Sequence, residues 1–138
     1  MRNFPMCFLL TVVLAFSGML YAQEEEPHVY VLSTFELLSP EGGSSAEFDS
    51  LGALWYDRIV KNNEFIVSEI TMRHLYGSNA NDFVVLDKYK SFCDIEKASS
   101  RNSELMKEAW PEKEERQKFW KAFVKYFGNH SDEIYQED

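Results

Sequence analysis

The chain has 138 residues, of which 45% are hydrophobic and 15% aromatic, and this content is typical of one packed domain rather than a disordered chain. Its 23 acidic and 14 basic residues give a formal net charge of -9. This charge argues against a nucleic-acid-binding protein, because such proteins carry a basic surface. The two cysteines exclude a disulfide-rich scaffold and a four-cysteine zinc site.

Residues 1–22 have the features of a secretory signal peptide. Arg2 is positive, the 14 residues from Cys7 to Leu20 are uncharged and apolar, and Ala22 supplies a small residue at the cleavage site. The alternative is an uncleaved membrane anchor, but the apolar run is shorter than the roughly 20 residues that span a bilayer. We therefore expect a secreted or periplasmic protein, cleaved near Ala22, whose mature form does not contact a membrane.

Cleavage leaves an acidic linker, residues 23–27, before a single domain of residues 28–138. Cys93 is the only cysteine of this mature sequence, so an intramolecular disulfide is excluded. Because Phe92 and Ile95 lie beside it, the pattern favours a buried structural thiol over a redox centre.

The mature sequence begins with a strand pattern and then a helix pattern. Residues 28–37 are rich in β-branched and aromatic side chains, which predicts the first strand. Ser44 and Glu47 have the spacing of a capping box, which predicts that a helix begins here and continues over about 45–61. Its buried stripe is predicted to contain Phe48, Leu51, Trp55 and Ile59.

A β-hairpin follows this helix. Residues 64–76 and 82–90 have strand composition, and the turn-forming residues 77–81 lie between them. Such a short connection joins antiparallel strands, since parallel strands need a longer crossover.

The last third of the chain has mainly helical patterns. Two short helices are predicted, at 91–98 and around 104–109, with a polar stretch between them. A longer helix begins at Pro111 and is predicted to end before Gly128. A short fourth strand is predicted at 131–135. The apolar stripe of the long helix consists of Phe119, Trp120, Phe123, Val124 and Phe127.

The predicted order is strand, helix, hairpin, helices and strand, which is the split βαβ arrangement. We therefore expect an α+β, ferredoxin-like fold, with a four-stranded antiparallel sheet and helices on one face.

The segments in this order resemble the dimeric α/β-barrel superfamily of ferredoxin-like domains. The resemblance lies in the strand 29–32, the helix that contains Trp55, the hairpin strand 84–90 and the passage 91–98 into the next helix. It implies a homodimer in which one sheet face pairs with that of a second copy. Residues 99–115 make the second helical region longer than the superfamily minimum. The tail, residues 130–135, is similar to that of small secreted proteins of unknown function.

Alternation along the strands divides the side chains between two sheet faces. We assign the purely aliphatic set to the helices, which leaves a second face where polar and apolar residues mix. This mixed face is either solvated or buried against a second copy, and its apolar content favours the homodimer. Its polar members are Tyr30, Thr34, Glu36, Glu69, Thr71, Arg73, Asp87 and Tyr89. Its apolar members are Leu32, Phe65, Val67, Phe83 and Val85.

The sequence contains no local signature of a metal or cofactor site. His28, His74 and His130 lack the paired spacing that directs two imidazoles at one ion, so we predict no metal site. No cofactor is identified.

Three functions are compatible with these residues. The favoured one is binding of a small apolar or aromatic ligand in a cavity of a dimeric barrel. The superfamily resemblance also allows a cofactor-light, oxygenase-like or haem-related enzyme, and the third candidate is a structural or interaction protein without a ligand. We predict that the ligand-binding residues are Tyr30, Glu69, Arg73, His74, Asp87 and Tyr89.

Overall fold

The computed structural model describes residues 26–138, and the predicted signal peptide lies outside this range. The described residues form four strands and three helices. In chain order these are β1 (Val29–Leu37), α1 (Ser45–Arg58), β2 (Ile66–Arg73), β3 (Asp82–Tyr89), α2 (Phe92–Ala109), α3 (Lys113–Val124) and β4 (Phe127–Gln136). Within residues 26–138, none of the helices has both the length and the apolar content needed to cross a membrane.

The strands form one sheet in the order β2-β3-β1-β4, and each neighbouring pair is antiparallel. The helices lie on one face of this sheet. This is the split βαβ topology, so the predicted ferredoxin-like α+β fold is confirmed.

The predicted cap of α1 is present in part. The Ser44 hydroxyl accepts a hydrogen bond from the backbone N–H of Glu47 at 3.1 Å. The Glu47 carboxylate does not return to Ser44 but accepts hydrogen bonds from Lys125 Nζ, at 2.8 Å, and from the Tyr126 hydroxyl. These contacts join the beginning of α1 to the connection between α3 and β4. The helix ends at Arg58, three residues earlier than predicted, and a 3-10 turn follows it.

The two short helices predicted after the hairpin are one continuous helix, α2. Ala98 and Leu105, seven residues apart, are both buried, so one face of this helix packs inward along its length. The polar residues 99–103 therefore belong to the helix and do not interrupt it. The prediction that Cys93 is buried is wrong, because it lies exposed in the first turn of α2.

The end of the chain also differs from the prediction. Helix α3 ends at Val124, and β4 extends over ten residues instead of the predicted five. Phe127 was predicted on the helix but begins β4, where it pairs with Leu37 of β1. Its ring still contacts the helix layer, at 5.1 Å from that of Phe123.

A cluster of mainly aromatic side chains forms the core between the helices and the sheet. Phe48 of α1 is at its centre, with only 4% of its surface exposed, and its ring contacts Phe83, Phe123, Tyr126 and Phe127 at 5.2 to 6.0 Å. The buried members of the cluster are Phe48, Ile59, Leu105, Trp110, Phe119, Phe123 and Tyr126. Two members of the predicted α1 stripe, Leu51 and Trp55, are only partly buried.

The strand register corrects the predicted faces. Leu32 pairs with Leu86 and Ser33 with Val85, and paired residues point to the same side of a sheet. The face toward the helices, which we call the inner face, therefore carries the polar set of β2 and β3 together with Ser33 and Phe35. The opposite, outer face carries Tyr30, Leu32, Thr34, Ser68, Ile70, Met72, Val84, Leu86 and Lys88. The predicted mixed face was wrong because it combined β1 side chains from one side with β2 and β3 side chains from the other.

Candidate functional site

A cavity of about 820 Å³ lies between the inner face of the sheet and helices α1 and α3. Most of its wall is aromatic or aliphatic, a lining typical of sites for small molecules. The aromatic residues that line it are Phe35, Phe48, Trp55, Tyr56, Phe83, Trp120, Phe123 and Phe127.

Two carboxyl groups lie side by side on the sheet wall of this cavity. Glu69 of β2 and Asp87 of β3 are partners in the strand register, and both line the cavity. Directly opposed residues on neighbouring antiparallel strands have Cβ atoms about 5 Å apart, so the two carboxyl groups interact. We call Glu69 and Asp87 the carboxyl pair.

Burial changes the acidity of the carboxyl pair. Removal from water, followed by the charge and hydrogen bonding of Asp87, raises the pKa of Glu69 to about 7. Burial likewise raises the pKa of Asp87 to about 6, although hydrogen bonds from Tyr89 and Glu69 act in the opposite direction. The pair therefore keeps a proton up to neutral pH, and as the pH rises Asp87 loses its proton before Glu69 does.

The carboxyl oxygens of Asp87 have fewer hydrogen-bond partners than they can accept. The Tyr89 hydroxyl donates a long hydrogen bond, 3.4 Å, to Asp87 Oδ2. The other oxygen, Oδ1, is buried and has no hydrogen-bond partner among the described residues. Burial and the neighbouring Asp87 charge raise the pKa of Tyr89, so its hydroxyl stays protonated and available as a donor.

The basic residue that lines the cavity with the carboxyl pair forms its ion pair with another residue. Arg73 lies four residues after Glu69 on the inner face, but its guanidinium forms an ion pair with Asp49 of α1. It also lies over the Phe48 ring, 5.3 Å from the ring centroid. The side chains of Arg73 and Asp49 are 47% and 59% exposed, which places this ion pair at the rim of the cavity. Among the described residues, neither Glu69 nor Asp87 forms a salt bridge.

The structure brings together some of the predicted ligand-binding residues. Glu69, Arg73 and Asp87 line the cavity, and Tyr89 contacts Asp87 from the same face. Tyr30 lies on the outer face, where Lys88 Nζ is 5.4 Å from its ring centroid, so its predicted placement beside the others is wrong.

The histidines lie away from the cavity. His74 follows the end of β2, where its backbone N–H donates to the carbonyl of Asp82 at 3.1 Å. His28 Nδ1 is 3.1 Å from a carboxylate oxygen of Glu137, and His130 stacks on Phe35. Within residues 26–138, no three histidine, cysteine or acidic side chains are grouped closely enough to hold a metal ion.

Sequence reasoning missed the helix-borne part of the site. Asp49, Gly52 and Tyr56 of α1 and Val124 of α3 line the cavity, but none was predicted to contact a ligand. Their helical spacing predicts which face of each helix is apolar, but not that a gap remains between this face and the sheet. That gap is created by tertiary packing, so no local pattern could have predicted it.

No family model and no curated protein matches the sequence. Several solved structures nevertheless match the fold. A putative antibiotic biosynthesis monooxygenase from Caulobacter crescentus aligns with a TM-score of 0.53 and 12% identity, over 83% of this chain and 92% of that protein.

Two further structures give similar values. The cofactor-independent oxygenase SnoaB from Streptomyces nogalater aligns with a TM-score of 0.51 and 12% identity, over 81% of this chain and 94% of SnoaB. A NIPSNAP family protein with unknown function from Agrobacterium tumefaciens aligns with a TM-score of 0.52 and 13% identity, over 82% of this chain and 89% of that protein. At these identities the likeness shows the fold alone. The chain thus shares its ferredoxin-like fold with these proteins, as the sequence resemblance implied.

Proposed function

We propose that the protein binds a small apolar or aromatic molecule in the cavity beneath α1 and α3. The supporting observation is the cavity itself, whose volume of about 820 Å³ and mainly apolar wall suit a ligand of drug-like size. The few polar groups are concentrated on the β2–β3 wall, where they can orient a ligand that the aromatic rings hold by contact.

Gly52 provides a direct test of this proposal. It lines the cavity, and a Cβ built on it meets no atom within 4 Å. A Gly52→Phe variant can therefore place a ring in the open space without displacing the core. The matched control is Ser50→Phe, which adds the same ring to an exposed position of α1 that does not line the cavity.

The measurement is native mass spectrometry of the protein purified from its own host, followed by thermal shift with the released compound. We expect wild type and Ser50→Phe to retain the ligand and Gly52→Phe to lose it while remaining folded. Retention of the same compound by Gly52→Phe would place the ligand elsewhere. A wild-type protein without any ligand would favour the structural or interaction protein that the sequence also allows.

The carboxyl pair favours an enzyme as a second candidate function. A Glu69 whose pKa is about 7 can accept a proton from a bound substrate near neutral pH, as a general base must. Two of the structural neighbours are described as an oxygenase and a putative monooxygenase. The haem-related alternative has less support, because no histidine lines the cavity among the described residues. Recovery of a chemically altered compound after incubation with the host-derived ligand would favour the enzyme over simple binding.

We further propose that the protein is a homodimer and that the outer face, not the inner one, is the interface. Leu32, Ile70 and Leu86 lie on neighbouring strands of this face, and Ile70 is 53% exposed. A two-fold contact would cover each apolar patch with the same patch of the second copy. Val85, which was predicted on the face that would pair with a second copy, lies on the inner face and lines the cavity.

Export remains a proposal that rests on the sequence of residues 1–22. Cleavage after Ala22 gives a mature protein that begins at Gln23. N-terminal sequencing of the protein recovered outside the cytoplasm tests this, and an intact Met1 would contradict it.

A further inference from the structure

We propose that the ligand carries a protonated amine, which lies against the carboxyl pair while its apolar part contacts the aromatic wall. This inference depends on the proposed function, because it specifies the chemical class of the molecule that the cavity binds.

The first argument is the absence of a counter-charge. Two partly buried carboxyl groups on one wall are costly unless a cation or a proton neutralises them. Arg73 is the basic residue among those that line the cavity, and its guanidinium is paired with Asp49 at the rim. The carboxyl pair therefore has no cationic partner among the described residues, and a ligand cation would supply one.

The second argument is hydrogen bonding. The pair offers up to four acceptor oxygens, and from outside the pair Tyr89 donates one long hydrogen bond to them, at 3.4 Å. Asp87 Oδ1 is buried but has no partner in the part of the chain that the structure describes. An ammonium group carries up to three N–H donors on one atom, so it can satisfy both carboxyl groups at once. An anionic ligand would instead add a third negative group to this wall.

The third argument is the aromatic wall. Phe48, Trp55, Trp120 and Phe123 surround the cavity from the helix side. The faces of aromatic rings attract cations, and this attraction increases when water is excluded. The same wall accepts the hydrocarbon part of an amine through apolar contact.

The titratable groups around the cavity are compatible with a bound amine, and they predict that amine binding depends on pH. Within residues 26–138, helices α2 and α3 and strands β1 and β4 contribute no titratable side chain to its lining. Those that line it or contact the carboxyl pair come from α1, β2 and β3, namely Asp49, Tyr56, Glu69, Arg73, Asp87 and Tyr89. Since the charges of Arg73 and Asp49 cancel, the carboxyl pair determines the net charge of the cavity lining. This charge is zero when both carboxyl groups are protonated and negative when either has lost its proton. Amine binding must therefore release a proton from the pair at slightly acidic pH.

The experiment compares three probes of one shape, 1-naphthylmethylamine, 1-naphthalenemethanol and 1-naphthoic acid, by isothermal titration calorimetry at pH 7.5. We expect the amine to bind at least about tenfold more tightly than the alcohol, which corresponds to about 1.4 kcal/mol, and the acid to bind least. Repeating the amine titration at pH 6 in two buffers of different ionisation enthalpy should reveal proton release.

Substitutions test whether the carboxyl pair causes the preference for the amine over the alcohol. Glu69→Gln and Asp87→Asn should each weaken amine binding far more than alcohol binding and so remove most of the amine preference. Asp57→Asn removes one negative charge from an exposed position of α1 outside the cavity and should keep the preference. Gly52→Phe should weaken binding of both the amine and the alcohol.

The outcomes separate this inference from the proposed function. Equal affinity for amine and alcohol, or tightest binding of the acid, overturns the amine assignment while cavity binding stands. Loss of the preference in Asp57→Asn as well would mean that overall charge, not the pair, produces it, and this also overturns the assignment. If neither the amine nor the alcohol binds at millimolar concentration, both proposals fail.

Discussion

The two faces of the sheet carry side chains of unexpected polarity. Charged residues lie on the face that the helices cover, and aliphatic residues lie on the uncovered face. The inner face lies under the helices, yet it carries Glu69, Asp87 and Arg73. The outer face has no helix over it among the described residues, yet Leu32 and Leu86 lie side by side on its central strands. In an ordinary antiparallel sheet with one solvated face, the charged residues would point outward and the aliphatic ones inward.

This reversal is the observation on which both proposals rest, the ligand on the inner face and the second copy on the outer face. Partly buried carboxyl groups are stabilised by a proton or by a partner of opposite charge, which the proposed ligand would bring into the cavity. Exposed aliphatic residues on adjacent strands require cover, which a second copy can provide. We therefore propose different partners for the two faces, and substitutions on one face test one proposal without altering the other face.

Part of the inner face is closely packed against the helices, and removing a side chain from this packing has the largest expected effect on stability. Phe48 contacts four other rings of the core and is almost completely buried. We expect Phe48→Ala to lower the free energy of unfolding by about 3–5 kcal/mol, because it removes a buried aromatic side chain and leaves a cavity. Urea denaturation measures this change. Phe92→Ala, at a position 64% exposed, is the control and should cost less than about 1 kcal/mol; a similar cost for both would contradict the packing described.

The outer face is tested by a charge at its centre. Leu86→Asp places a carboxylate where two copies would meet, so the dimer dissociation constant should rise at least about a hundredfold, or about 2.7 kcal/mol. Sedimentation measures this constant. The same substitution at the exposed Leu54 of α1 should leave it unchanged. A wild-type protein that is monomeric at tens of micromolar, or a dimer that tolerates Leu86→Asp, would show that the outer face is not the interface.

The sequence predicted the fold well because the element order needs only local patterns. The β-branched run before Leu37, the cap at Ser44 and the turn at 77–81 each report on a few neighbouring residues. The order of these elements leaves few topologies for a four-stranded sheet, and the split βαβ arrangement is one of them.

The faces were harder to predict because they depend on register. Alternation within β3 correctly separated Val85 from Leu86, and the pairing of Glu69 with Asp87 on one face was also correct. The error arose between β1 and β3, which are distant in sequence, because a shift of one residue moves every side chain to the other side. Leu32 was grouped with Val85 although it pairs with Leu86, and Tyr30 was placed with the site for the same reason.

The carboxyl pair should make stability depend on pH in a direction opposite to that of most acidic groups. Its folded pKa values, about 7 for Glu69 and about 6 for Asp87, exceed the ordinary 4.5 and 3.8. Between pH 4 and 7 the folded state therefore binds more protons than the unfolded state, and stability falls as the pH rises. We expect this contribution to be on the order of 1–3 kcal/mol. It is smaller than the roughly 3 kcal/mol per group that the two pKa changes would give at about 1.4 kcal/mol for a tenfold change in proton affinity, because both side chains are partly exposed to water.

Glu69→Gln separates this contribution from those of the remaining carboxyl groups. The substituted amide keeps the shape of the side chain but cannot ionise, so the variant should lose less stability than wild type between pH 5 and 7.5. Thermal unfolding of ligand-free protein across this range measures the difference. Asp57→Asn, which removes an exposed carboxyl group, should follow the wild-type curve. If the stability of Glu69→Gln changes with pH as much as that of wild type, the carboxyl pair is not the source of the pH dependence.

The smallest expected effect concerns the open space over the inner face. Gly52 has an ordinary helical backbone, and a Cβ at this position meets nothing within 4 Å. Gly52→Ala should therefore raise the free energy of unfolding by about 0.5–1 kcal/mol, because alanine loses less backbone entropy than glycine in a helix. The melting temperature should rise by a few degrees, and ligand binding should persist because one methyl group occupies little of the cavity.

Gly42 is the matched control for this substitution. Its added Cβ would also meet no atom within 4 Å, but its φ of 70° lies in the left-handed region. Gly42→Ala should therefore destabilise the protein by roughly 1 kcal/mol through backbone strain alone. Opposite signs at the two glycines would show that space is available at Gly52 and that backbone conformation decides the result at Gly42. Destabilisation by Gly52→Ala would instead mean that α1 lies closer to the sheet than described, which would leave less room for a ligand on the inner face.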